Sequence, residues 1–210
     1  SSAASDVYKR QDHFGAIPYL WSQIGCPIYG TAFTIALLRR KLSESRVAFD
    51  IPLHEIGMNA PFNLGSFEIE MVALNHSIPD PAALAIRTDA GTILHTGDWK
   101  FDKTPILGRD TDRGRLMAVG DEGVLALVGD STNAMVEGRT GSENDVKQGL
   151  TDAIAKATGR VAVTCFASNI ARIDSICRAA VANGRSVAIV GRALNLSLIH
   201  ISEPTRQEAI

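Results

Sequence analysis

Cysteine is scarce in this sequence, with Cys26, Cys165 and Cys177 the only three in 210 residues. An odd number at irregular spacing, in mainly apolar surroundings, argues against a disulfide framework. It suits a reducing compartment and predicts three buried small hydrophobes. Neither sign of charge is in excess. The formal net charge is −2, with lysine and arginine scattered, so any role with nucleic acid has to come from a local site. Uninterrupted apolar runs long enough to span a membrane are missing, and Ser1 to Arg10 lacks the basic-then-apolar order of a signal peptide. Repeats and low-complexity tracts are absent as well. The expectation is a soluble, cytoplasmic protein with no membrane partner. With 45% hydrophobic residues, the chain can bury a core in one large or two small domains.

From Gly15 the pattern becomes regular. Ile17, Leu20, Trp21 and Ile24 share a helical face, Pro18 suits a first turn, and Gly25 is a stop. Pro27 to Gly30 reads as a short strand and Thr31 to Leu42 as a helix whose basic end suits its dipole. Phe49 to Ile56 and Phe67 to Leu74 read as strands. A hairpin follows, Ala83 to Thr88 and Thr92 to Thr96 about a turn at Asp89-Ala90-Gly91. After Val124 the rhythm changes to strand (Val124 to Val128), helix (Ser142 to Ala157), strand (Arg160 to Cys165), helix (Ser168 to Asn183) and strand (Ser186 to Val190). Ser142 and Asp145 make a capping-box start, and Gly184 ends the second helix. This β-α-β-α-β run predicts a parallel, doubly wound unit, with a boundary between Asp130 and Thr140.

Two strand ends carry metal-competent side chains: Asn75-His76-Ser77-Ile78-Pro79-Asp80 and His95-Thr96-Gly97-Asp98. Imidazole and carboxylate together suit a divalent metal. Taken singly, His76 reads as a hydrogen-bonded structural residue and Asp98 as a turn former. A third piece, Asp12-His13 before a helix, reads alone as an N-cap and a first-turn residue. Four ligand-type residues, each where sheet gives way to loop, shift the balance toward a site.

Five segments carry a resemblance: Asp12 to Pro18, Asn75 to Asp80, His95 to Asp102, Gly129-Asp130-Ser131-Thr132-Asn133-Ala134, and Cys165-Phe166-Ala167-Ser168-Asn169-Ile170. In this order they resemble ribonuclease J, the bacterial β-CASP branch of the metallo-β-lactamase fold, from about Gln11 to about Leu194. The resemblance implies an α/β chain: metallo-β-lactamase-like αββα layers, in part, over 11–139, and the start of a Rossmann-like β-CASP domain over 140–196. It also implies two zinc ions, with manganese the alternative because the ligands suit both. Asp12, His13, His76 and Asp98 would be metal ligands, Asp98 bridging both ions. Asp98 and Asp130 would be the catalytic carboxylates, Asp130 holding a ligand in orientation. Ser168, Asn169 and Ile170, opening a helix, would contact RNA through free backbone amides, with a plain N-cap the simpler reading of Ser168. The implied activity is metal-assisted phosphodiester hydrolysis, both 5′-to-3′ and internal. The implied substrate is RNA with a 5′-monophosphate, and the implied assembly a homo-oligomer.

The match fails at two positions. The family pattern has histidine at positions 8 and 10, where this chain has Tyr8 and Arg10, and its later His-x-Ser-Gly-His motif is not found here. Residues 1–10 and 197–210 resemble translated adapter read-through, so the expectation is an internal piece of a longer enzyme with non-native flanks, inactive by itself. The other readings are a metallo-hydrolase of small esters or thioesters and a metal-free RNA-binding relative in which Tyr8 and Arg10 are authentic.

Overall fold

The computed structural model describes residues 14–45 and 50–191. Helix α1 (Ile17–Ile24) carries Pro18 in its first turn. It ends at Gly25, whose φ of +63° lets its amide reach the Trp21 carbonyl at 2.7 Å. Strand β1 (Ile28–Gly30) leads into α2 (Ala32–Glu44), capped by the Thr31 hydroxyl on the Thr34 amide, and β2 (Leu53–Glu55) returns parallel to β1. The strand expected over Phe49 to Ile56 is therefore shorter, and Phe49 lies outside the described residues.

The larger sheet comprises β3 (Phe62–Leu64), β4 (Phe67–Ala73), β5 (Ala82–Thr88), β6 (Gly91–His95) and β7 (Val124–Val128), in that spatial order. All neighbours are antiparallel except β6 and β7, which run parallel because helix α3 (Arg113–Glu122) crosses between them. The expected hairpin forms about Asp89-Ala90. Sequence periodicity alone does not disclose β3 or α3: one is three residues long, and the other carries glycine at two of its ten positions.

Val72 on β4 and Leu74 just past its end meet Ala83 and Ala85 on β5 and Val119 of α3, with Leu94, Trp99, Leu116 and Val124 packed around them. Glu70 shares that face and is 1% exposed. Its carboxylate accepts from Arg115 (2.7 Å, Nη2) and Arg87 (3.0 Å), and both arginines also pair with Glu122. Burial opposes ionisation, but the Arg115 hydrogen bonds dominate and hold the Glu70 carboxyl below its usual range.

Past β7, α4 (Glu143–Lys156) starts on the expected Ser142–Asp145 capping box, and α5 (Ile170–Ala182) packs against it. The strands expected over Arg160 to Cys165 and Ser186 to Val190 do not form. Both segments are apolar enough for strands, but neither finds a hydrogen-bonding partner among the described residues, and a strand exists only in a ladder. The cysteines also differ from expectation: Cys26 is exposed, and Cys165 and Cys177 are half-buried. Cys26 sits in the short loop between α1 and β1.

Candidate active site

The site is built where β4, β6 and β7 end. Beyond β4, Asn75 is 3% exposed and fully engaged. Its amide donates to the Thr111 hydroxyl (3.0 Å) and its Nδ2 to the Arg109 carbonyl (2.6 Å); its Oδ1 accepts from the Thr111 hydroxyl (2.7 Å) and its carbonyl from the Lys100 amide (2.9 Å). His76 follows, its Nδ1 3.1 Å from the Ser77 hydroxyl. Ser77 in turn is tied to α5, because its carbonyl accepts from the amides of Ile170 (3.0 Å) and Ala171 (3.4 Å). Ile78 packs with Phe33 and Ile170 beneath this turn.

Beyond β6, Gly97 takes φ +59°, so the chain reverses and its amide donates to His95 Nδ1 at 3.0 Å. Asp98 comes out of that turn half-buried. Thr96 bonds back to β7 through its amide on Val128 (2.9 Å), and its hydroxyl accepts from the Asp130 amide (3.3 Å). The Trp99 indole donates to the Asp130 carbonyl at 3.3 Å. Asp130 Oδ1 accepts from both the Thr132 hydroxyl (2.6 Å) and amide (2.9 Å). Those bonds hold its carboxyl below the ordinary range, and the charge of nearby His76 lowers it further. His76, Asp98 and Asp130 thus stand at one end of one sheet, on strand ends cross-braced to each other.

A cavity beside His76 is lined by Ser77, Lys100, Asp102, Glu143 and Ala171. Asp102 closes it by capping α4: its Oδ2 accepts from the Glu143 amide (2.9 Å) and its Oδ1 from the Thr104 amide (3.0 Å). Burial pushes the Asp102 carboxyl up, but those amides, Ser142 and Lys100 outweigh it and leave it lowered. Glu143 and Arg172 form a two-point ion pair joining α4 to α5. Asp102, Glu143 and Arg172 were not anticipated as site residues. The only signal in the sequence is Asp102 two residues before Thr104, an Asx-turn spacing.

Asp12 and His13 lie outside the described residues, as do Tyr8 and Arg10. Among the described residues, no three His, Cys, Asp or Glu side chains converge to hold a metal. His76 and Asp98 are the right donor chemistry for zinc or manganese but are not by themselves a complete ligand set. At the α5 N-terminus, the Ile170 and Ala171 amides are taken by Ser77, and the Arg172 amide by the Asn169 side chain (2.9 Å), so Asn169 rather than Ser168 is the cap. Ile170 is 2% exposed and belongs to the core. Of the expected RNA-contacting trio, Ser168 and Asn169 are half-buried.

A family model described as the ribonuclease J β-CASP domain matches residues 158–204. The chain is 45% identical over 188 residues to a ribonuclease J of Sinorhizobium meliloti, covering 90% of this chain and 33% of that protein. It is 46% identical over 190 residues to one of Mycobacterium tuberculosis, covering 34% of it. A ribonuclease J of Helicobacter pylori is 37% identical over 197 residues, 28% of its length. The fold is similar to the crystal structure of a protein of unknown function from Enterococcus faecalis V583, with a TM-score of 0.53 at 20% identity over 72% of this chain and 39% of that one. The chain spans about a third of the length of the curated relatives it matches. Along 90% of its length the chain is thus similar to ribonuclease J, and residues 158–204 match the β-CASP domain of that family.

Proposed function

We propose that this chain carries part of the active site of a metal-dependent ribonuclease of the ribonuclease J type. The observation that carries the reading is the placement of His76, Asp98 and Asp130 on three cross-braced strand ends, beside a cavity that reaches α4 and α5. In this reading residues 11–139 are the metallo-β-lactamase-like part and 140–196 the start of the β-CASP domain. His76 and Asp98 bind metal with Asp12 and His13, and Asp130, ionised across the neutral range, holds His76 in orientation. When bound, a zinc pair supplies a water acidified to near neutrality and positive charge for the phosphoryl oxygens. The substrate is RNA with a 5′-monophosphate, cut from the 5′ end or internally by a cytoplasmic homo-oligomer.

Metal content tests the reading directly. After equilibration with zinc and desalting, the protein should retain zinc, and Asp98→Asn and His76→Ala should each lose most of it. Zinc no better retained by the parent protein than by Asp98→Asn would sink the nuclease reading. The second reading, a metal-free RNA-binding relative, is favoured by Tyr8 and Arg10 and predicts RNA binding without retained metal.

A further inference from the structure

Residues 99–102 divide their side chains between two jobs. Lys100 and Asp102 line the cavity beside His76, while Trp99 packs on the sheet core and its ring meets Phe101 edge to face at 4.8 Å and 87°. Phe101 is 47% exposed, and the guanidinium of Arg113, at the start of α3, lies 5.1 Å from its ring centroid. Arg87, Arg115, Arg172 and Arg178 are all in ion pairs, whereas exposed Arg113 engages no carboxylate among the described residues. Trp99 fixes this pair to the candidate site through its bond to Asp130. An exposed ring beside an unneutralised guanidinium offers a π-face for a base and a fork for a phosphate. One ring and one guanidinium are far too small for a protein interface but match one nucleotide.

We propose that Phe101 and Arg113 form a docking platform for one nucleotide of single-stranded RNA at the rim of the candidate active site, Phe101 stacking on the base and Arg113 pairing with a phosphate. The platform rests on the reading of RNA as substrate and gives that RNA a place outside the metal ligands. The test is fluorescence anisotropy of the whole chain, in chelator so that nothing is cleaved. The probes are a labelled oligoadenylate and an abasic strand with the same phosphates.

Phe101→Ala should weaken oligoadenylate binding by about 5- to 100-fold and leave the abasic strand unchanged, and Phe101→Trp should restore it. Phe101→Leu keeps an apolar contact with Trp99 and should still show the loss, which separates stacking from a folding defect. Arg113→Ala should weaken both strands and lower the salt slope by about 0.7. Variants that bind like the parent protein, an equal loss on both strands with Phe101→Leu, or a parent chain that binds neither strand would each overturn the platform. Because zinc retention is measured separately, a failed platform with zinc retained leaves the nuclease reading standing, and the reverse result removes that reading alone.

Discussion

Asn75 makes the geometry of His76. Its side chain and backbone are tied to Thr111, Arg109 and Lys100, so the turn that presents the imidazole is fixed from two other loops. Asn75→Ala strips partners from the Thr111 hydroxyl and the Arg109 carbonyl. It should cost about 1–3 kcal/mol of stability, read as a lower urea midpoint at unchanged slope. Gly108 guards the same turn. Its φ is +80°, and an added Cβ would sit 2.4 Å from the Pro79 carbonyl oxygen, a backbone atom that cannot swing aside. Gly108→Ala should therefore lose at least about 2 kcal/mol, while Gly114→Ala, with nothing nearer than 3.6 Å, should be tolerated. His76, Asp98 and Asp130 were legible because each follows an apolar strand, a pattern local to the sequence. The grip of Asn75 was not, since Thr111 lies 36 residues away.

At the scale of elements, what could be read ahead was again what is local. The Ser142–Asp145 box, the Gly25 stop and the Asp89-Ala90 hairpin all formed. The strands expected over 160–165 and 186–190 needed a neighbour that no local pattern supplies. Glu70 teaches the same lesson in reverse: an acid alternating with apolar residues is buried because Arg87 on β5 and Arg115 on α3 meet it. Its carboxyl is lowered by them, so their contribution is complete above the unfolded value of about 4.3 and fades as pH falls through the lower folded value. Glu70→Ala should cost about 3 kcal/mol at neutral pH. Denaturation midpoints followed toward acid should fall more steeply for the parent protein than for that variant. Matching slopes would show that the carboxylate does not link β4, β5 and α3.

For the molecule as a whole, the five-stranded sheet ends on β7, where Leu125 and Leu127 are 67% and 66% exposed. An apolar edge strand whose outer ladder is unpaired among the described residues invites pairing with another chain. Light scattering should rise with concentration, and Leu127→Lys should suppress it with little change in melting temperature. The two halves of the molecule meet more firmly elsewhere. Because the Ser77 carbonyl accepts from both Ile170 and Ala171, the turn behind His76 cannot open without releasing the first turn of α5. In deuterated buffer these two amides should exchange at one common rate, slower than the frayed end of α5. A nick that frees α5 would then be felt at His76 as a change in imidazole resonance, some distance along the chain from the cut.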